Sequence, residues 1–466
     1  MKLKACLIYF CVLLLTGCSL HRPQPVELGF DVPQAYRQAA EGESSAVGTP
    51  WWHLFEDPRL DQLMTQLFAE NLDIERAVAR LQQARASYEG ARASQWPTVN
   101  ASGQASRDRS ATGLITETAQ GSLSVAYELD LWRKYASRST AARFAEEATA
   151  ADVRALFLSM SAQLADLYFL AVEQQAQLEL IAANQEAFRD TLERVERRYQ
   201  AGLAAAVDVY QARQNLLAVD ARRPAIEAKL AAAEHAIDVL LGNYPGVGSA
   251  ARAEKLPLAP ADFGVGLPAD LLMRRPDVQA AFARLQASDA QLAAAIAERM
   301  PAVNLLGVMG RTSTELITGP LTGDFWSLLA GVTLPIVDGG RRRAEVERQQ
   351  AVRREVLASY RQTVLNAFRE VEDGLVANRT TEQRIAILAE QVAAAESSLR
   401  LALDNYLKGL SDYLPVLVAQ AGQISTQSQL LSARRQLVAD RIVLAKALGG
   451  HWMEEALTRR MSVEQD

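Results

Sequence analysis

The chain repeats itself. Asp73 to Pro97, with Ala79-Arg80-Leu81-Gln82 inside it, returns 204 residues later as Asp277 to Pro301, with Ala283-Arg284-Leu285-Gln286. Tyr199-x-x-Gly202-Leu203 returns 207 residues later as Tyr406-x-x-Gly409-Leu410, and Leu240-Leu241-Gly242 as Ala447-Leu448-Gly449. So constant an offset means two copies of one structural unit, and any fold for this chain must be built from that unit twice.

The unit is dominated by one long element. Arg133 to Ala201 contains neither Gly nor Pro, and Arg341 to Lys408 is interrupted only by Gly374. At 1.5 Å per residue each run predicts a helix of roughly 100 Å. Toward the ends of these runs Leu178, Ile181, Gln185, Phe188, Leu192, Val195 and Tyr199 follow a 3,4 spacing, as do Ile385, Leu388, Val392, Ala395, Leu399, Ala402 and Tyr406. Such heptad seams call for left-handed coiled-coil packing against a neighbouring helix.

Gly202 and Gly409 suit left-handed C-terminal caps. Helical pattern resumes over Val207–Leu241 and Asp412–Leu448, which predicts two helical hairpins with tips at 201–206 and 409–412. Pro415 fits the first turn of its helix, whereas Pro224 sits deep enough to kink or interrupt its own. Pro58–Gln95 and Pro268–Arg299 are also helical in pattern, about half the length of a long run. Each repeat is therefore expected to pair one long helix with two stacked short ones.

Strands lie between short and long helices: Thr98–Arg107 and Gly121–Leu129, then Ala302–Gly310 and Phe325–Ile336. Leu123, Val125, Tyr127 and Leu129 alternate with polar or small residues, and Trp326, Leu328, Ala330, Val332 and Leu334 share a face. Tilted strands of about 9–11 residues can cross a bilayer. Four cannot close a barrel, and lipid does not tolerate open edges, so closure needs several chains; three copies give 12 strands. A pair of soluble hairpins capping the helices is the alternative. After the leader, no apolar run reaches the roughly 20 residues of a spanning helix, so any crossing falls to strands. Trp132, Arg133 and Lys134 follow the second strand and Arg341, Arg342 and Arg343 the fourth, where cations oppose the helix dipole. Either lipid head groups compensate, with Trp132 as an interfacial aromatic, or the face is simply solvated.

The first residues read as a leader: Lys2 and Lys4, an apolar run to Leu15, then Leu15-Thr16-Gly17-Cys18. This resembles a bacterial lipobox, with cleavage before Cys18 and lipidation of its thiol; Ser19 after it resembles an outer-membrane sorting choice. Cys6, Cys11 and Cys18 are the three cysteines, so the mature chain keeps only the lipidated one and has no disulfide or thiolate metal site. Loss of the two leader lysines takes the formal charge from -6 to -8, with no basic patch for nucleic acid. The dispersed His21, His53, His235 and His451 form no metal or catalytic pattern, and no phosphate loop or nucleophile elbow is present. The chain reads as a non-enzyme without cofactor, apart from an N-acyl and diacylglyceryl lipid on Cys18.

Four strings carry a family resemblance: Trp51-Trp52-His53-Leu54-Phe55-Glu56-Asp57-Pro58-Arg59-Leu60, the run Leu267 to Val278 with Leu271-Leu272-x-Arg274-Arg275-Pro276-Asp277, Tyr413-Leu414-Pro415-Val416-Leu417, and Lys446-Ala447-Leu448-Gly449-Gly450-His451-Trp452. They resemble the outer membrane factor (TolC-like) family, in its NodT/OprM lipoprotein branch. The resemblance implies a homotrimer with a 12-stranded β-barrel in the outer membrane and a periplasmic α-helical barrel. Its tip would meet a periplasmic adaptor, which joins it to an inner-membrane pump of the resistance-nodulation-division (RND) type. Gly202, Leu203, Gly409, Leu410 and Ser411 would then be adaptor contacts. Leu414 matches the family's leucine constriction, but Val418 stands where the family has an acid; Asp412 or Asp208 would supply a substitute ring, or would merely begin the return helices.

The expected layout is a signal peptide at 1–17, an extended segment at 18–57, repeats at 58–242 and 268–450, a linker at 243–267 and a tail at 451–466. The expected function is a passive outer-membrane exit duct for small molecules, lipid-anchored and spanning by strands. The alternatives are a type I protein-secretion channel and a periplasmic coiled-coil adaptor or scaffold lipoprotein without a pore.

Overall fold

The computed structural model describes residues 21–22, 25–37, 50–111, 113–246, 272–316, 319–450 and 452–463. Cys18 and the leader, linker residues 247–267 and the expected helix start at Pro268 lie outside the described residues. A 3₁₀ turn at Trp51–Phe55 leads into α1 (Pro58–Glu70) and α2 (Leu72–Ala93). Then come β1 (Thr98–Arg109), β2 (Ile115–Leu129), α3 (Lys134–Gln200), α4 (Ala206–Asp220) and α5 (Arg223–Leu240). The second repeat supplies α6 (Pro276–Ala297), β3 (Ala302–Leu316), β4 (Gly319–Thr333), α7 (Arg341–Leu407) and α8 (Leu414–Leu448), and α9 (Trp452–Val463) closes the chain. The duplication is borne out most closely in the helices that flank the strands, since α2 and α6 have 22 residues each and α3 and α7 have 67 each.

Three expected helices are broken. Pro224 interrupts the first return helix between Asp220 and Arg223 and then occupies the first turn of α5, where its missing N–H costs nothing. Asn71, in extended conformation, divides α1 from α2, and Arg275 stops a helical turn at 272–274 because Pro276 follows it. The tail, for which no element was expected, forms α9. By composition α3 contains a stretch apolar enough to span a membrane, contrary to the sequence reading, but more than half of that stretch is buried in helix packing.

The described chain divides into two compact units, and each repeat contributes to both. The first, Met1–Phe30, Arg80–Ala150 and Ala280–Gln362, holds the sheet. Its strands run antiparallel in the order β1-β2-β3-β4, so that β2 and β3 join the two repeats. Directly paired residues share a face. Val99, Val125, Gly307 and Leu328 therefore form one row, and Ala101, Leu123, Met309 and Trp326 the next. Tyr127, Leu305 and Ala330, then Leu129, Val303 and Val332, complete an apolar band about 20 Å tall. Outward of Trp326 the same face carries charge: Arg311 makes a two-pronged pair with Asp324 (2.6 and 3.2 Å), and Arg107 meets Glu117 at 3.0 Å. The opposite face is polar near β1 and β2, where the Ser102 and Ser122 hydroxyls meet at 2.9 Å.

Both hairpins extend beyond the expected strands, because the alternation marks only the apolar band while Ser, Thr and charged side chains continue the ladder, as in the 3.1 Å contact of Ser313 with Thr322. β4 stops at Thr333 rather than Ile336, since its last partner is Ala302, preceded by Pro301, and Pro335 has no donor. At the helix starts, carboxylates provide the compensation. Asp130 accepts the backbone N–H groups of Tyr135 (3.1 Å) and Ala136 (2.7 Å), Glu128 pairs with Lys134, and Asp338 accepts from Gly340 and Arg342. Trp132 is half-buried and donates to the Pro301 carbonyl at 2.7 Å; the exposed tryptophans at the band's two ends are Trp96 and Trp326.

Within the expected extended segment 18–57, described residues 21–22, 25–37 and 50 lie in no helix or strand, and the 3₁₀ turn at Trp51–Phe55 departs from the expectation. The segment's residues in the first unit are held by His21 on Asp289 (3.0 Å) and by Arg361 donating to the Glu27 carbonyl (3.1 and 2.8 Å).

The second unit, Asp31–Ala79, Ala151–Gln279 and Thr363–Asp466, is helical. Trp51, Trp52, Phe55, Phe157, Phe169 and Trp452 are buried together, with Trp452 of α9 edge-on to Trp52 at 4.7 Å. Asp57 caps α1 through Arg59 and Leu60 and accepts the Tyr168 hydroxyl at 2.7 Å. On α7 the expected seam from Ile385 to Tyr406 is at least half-buried throughout. On α3 the seam is at least half-buried from Leu178 to Val195 and exposed only at Tyr199, and a second row, Gln177, Asn184 and Thr191, is buried beside it. The cause is a second neighbour, α8, where Ser428 and Ser432 engage Gln177 and Glu173, and Gln420 reaches Thr191.

Return helices end against short helices at a duplicated joint. Asn71 Nδ2 donates to the Leu240 carbonyl (2.8 Å), and in the second repeat Arg275 Nη1 donates to the Ala447 carbonyl (3.1 Å). Gly242 (φ 74°) and Gly449 (φ 73°) follow, and a Cβ on either would stand 2.8 Å from a backbone carbonyl oxygen, of Glu70 or of Arg274. The resemblance strings around Arg275 and Gly449 are thus two sides of one contact. Gly449→Ala or Gly242→Ala should destabilise by about 2–5 kcal/mol, combining left-handed strain with a backbone clash. Gly422→Ala, with open space around it in α8, should instead be neutral or stabilise by up to about 1 kcal/mol. Thermal unfolding of the purified variants checks both signs.

Candidate functional site at the helical tips

Both long helices end in the same six-residue closure. Leu203 N–H donates to Arg198 O (2.8 Å) and Gly202 N–H to Tyr199 O (2.9 Å); Leu410 and Gly409 repeat this on Asn405 and Tyr406. Gly202 (φ 72°) and Gly409 (φ 74°) supply the left-handed residue that each closure needs. The turns carry Leu203 and Leu410 exposed at their tips, with Ser411 half-buried.

The two tips are tied together by Arg198. Its guanidinium donates to the Leu407 carbonyl (2.6 Å) across the interface and to the Leu203 carbonyl (3.3 Å) in its own turn, and it lies 5.2 Å from the Tyr406 ring. Tyr406 packs edge-on to Tyr413 at 5.2 Å and donates its hydroxyl to Asp208 at 3.2 Å. Val195, Ala212 and Val416 complete this core, with Leu192, Val209, Leu399 and Leu403 against it. Burial first, then the Asp208 carboxylate, raises the Tyr406 phenol above its ordinary range; burial likewise raises Tyr413.

Of the expected constriction residues, Leu414 (59% exposed) and Val418 (64% exposed) stand one turn apart on the same side of α8, uncovered by this chain. Asp412 is exposed, while Asp208 is half-buried and engaged by Tyr406. Sequence reasoning missed Arg198, although a signal existed: the 207-residue offset pairs it with Asn405, so the repeats differ there. It also treated Tyr199 and Tyr406 as equivalent, yet Tyr406 is 3% exposed and Tyr199 is 49% exposed.

The model of the family described as outer membrane efflux protein matches residues 63–243 and 267–450. The toluene efflux pump outer membrane protein TtgI of Pseudomonas putida is 32% identical over 469 residues, 97% of this chain and 99% of that one. Nodulation protein T of Rhizobium leguminosarum bv. trifolii is 31% identical over 454 residues, 94% of this chain and 96% of that one. Among solved structures, the outer-membrane channel OprN superposes with a TM-score of 0.85 at 28% identity, covering 94% of this chain and 100% of the other.

If Arg198 ties the tips, Arg198→Ala should speed amide exchange at Gly202, Leu203, Gly409 and Leu410 about tenfold, as loss of a charged hydrogen bond worth about 1.4 kcal/mol requires, and leave the sheet amides unchanged. The tyrosines give a pH signature. With folded values above the free value of 10.0, the neutral phenols are favoured by folding. Their stabilisation is complete below that value and is lost as pH rises through the folded ones. Tyrosinate absorbance should accordingly show a late-ionising group made of Tyr406 and Tyr413 together with the buried Tyr168 and Tyr360, and Tyr406→Phe should remove one phenol from it.

Proposed function

The chain belongs to the outer membrane efflux protein family, and we propose that it works as a homotrimeric, lipid-anchored exit duct receiving small molecules from an RND-type inner-membrane pump through a periplasmic adaptor. It is an outer membrane efflux channel and not an enzyme, and the family carries no cofactor. The trimer, the lipid on Cys18, the adaptor and the cargo class are the reading advanced here.

One observation carries it: a four-stranded sheet with an unbroken apolar face and two outer strands, β1 and β4, each paired on one side only among the described residues. Lipid requires those edges to be paired, so neighbouring copies must supply the partners, and three copies close 12 strands. The toluene-pump relative supports small apolar cargo, and a family made of efflux channels leaves the non-pore scaffold without support. Adaptor contact falls to the exposed tip residues Gly202, Leu203, Gly409 and Leu410, with Ser411 beside them.

Within the duct, Leu414 and Val418 form two apolar rings one turn apart about the threefold axis. With valine at the second position the narrowing is governed by side-chain bulk rather than by fixed charge, and Asp412 is the exposed carboxylate nearest to it in sequence.

Mass measurement of the protein extracted from outer membranes, together with planar-bilayer conductance, tests the whole reading: a conducting trimer is expected, and a non-conducting monomer would sink it. Leu414→Ala should raise single-channel conductance, and an unchanged conductance would remove Leu414 from the constriction. Cys18→Ser should abolish palmitate labelling while the trimer still forms.

A further inference from the structure

Within the sheet-bearing unit, a cavity of about 340 Å³ opens between α3, α6 and the N-terminal segment. Its walls are largely apolar, formed by Val26, Phe144, Phe282, Leu285, Ala290 and Ala293. At its polar side Asp289 accepts from both Arg353 (2.7 Å) and His21 (3.0 Å), and these three side chains are nearly buried. The volume lies within the range of pockets that enclose small organic ligands.

His21 is three residues from Cys18. Fully extended, three residues reach about 10 Å. Asp289 lies eight residues before the sheet-side end of α6 and Arg353 twelve residues into α7, so His21 is held roughly 12–18 Å along the helices from where they meet the sheet. Three residues of chain therefore put this cavity within reach of the Cys18 nitrogen, whereas the apolar band lies farther from His21 than those residues can extend. The two ester-linked chains of a lipidated cysteine leave from a glyceryl arm on sulfur and have length to spare. The amide-linked chain leaves from the backbone nitrogen itself and would have to cross a polar zone to reach hydrocarbon.

We propose that the amide-linked acyl chain of Cys18 occupies the cavity bounded by Phe144, Phe282 and Ala293, so that the lipid anchors the chain both to the membrane and to its own helices. The proposal rests on the lipidation reading given above. His21 and Arg353, converging on Asp289, hold the segment at the cavity mouth, where the acyl amide meets polar partners.

The test uses the full chain in its own membrane. Cells are fed a palmitate analogue bearing a terminal alkyne and a diazirine, irradiated intact, and the purified protein is digested for mass spectrometry. The expected result is a Cys18 peptide joined through its acyl chain to a peptide containing Phe144 or Phe282–Ala293. Ala293→Trp should cut that product at least about fivefold by filling the space, with conductance and trimer mass unchanged. A fully acylated Cys18 peptide joined only to phospholipid overturns the proposal, as does free phospholipid joined to the cavity peptides. A Cys18 peptide without acyl groups overturns it together with the lipidation reading, and its mass tells the two failures apart.

Discussion

A backbone edge cannot stand in hydrocarbon. Each unpaired N–H or C=O there costs several kcal/mol, and β1 and β4 each present a row of them along an apolar face. This requirement makes the sheet a fraction of a larger object. It also assigns the two faces: the apolar rows from Val303 to Met309 are suited to lipid, and the serine-rich face of β1 and β2 to water. The Arg311–Asp324 and Arg107–Glu117 pairs lie outward of the band, where charge no longer carries a desolvation penalty.

The sequence revealed most where one periodicity suffices. Equal gaps between repeats gave equal long helices, the alternation of Leu123, Val125 and Tyr127 gave the correct face, and Gly202 and Gly409 gave the tip closures. It revealed least where a residue answers to something distant in the chain. Asn71 breaks a helix because its side chain serves the Leu240 carbonyl, and α9 is fixed by Trp52, some four hundred residues away. On α3 a single heptad seam was too narrow, because that helix packs against α4 and α8 together and turns Gln177, Asn184 and Thr191 inward as well. The strand tips were illegible for another reason: a hydrogen-bonded ladder continues without any apolar alternation.

Duplication explains the scaffold, and divergence explains the site. The joint behind Gly242 and Gly449 is retained in both repeats because its glycines are forced by backbone contact, whereas Asn71 became Arg275 at the same place. Arg275 then gains Asp277 and Glu370 as partners; burial alone would lower its pKa, but those carboxylates more than offset it and the net direction is upward. At the tips, Tyr406 is enclosed while Tyr199 is open, and the residue equivalent to Arg198 in the second repeat is the uncharged Asn405. The two hairpins are thus distinct surfaces, one contributing the tie and the other the Leu414–Val418 face.

The helical unit reaches the same conclusion as the sheet by an independent route. Leu365, Val376, Ile387 and Leu401 of α7 are all exposed, and at 3.6 residues per turn they fall within about 40° of one another on the helix surface. A narrow apolar stripe of that kind, opposite a seam already used within the chain, is the signature of a helix packed on two sides. No described element of this chain covers these four residues. A neighbouring copy would satisfy the stripe in one unit and the open strands in the other, so one act of assembly would answer two separate demands.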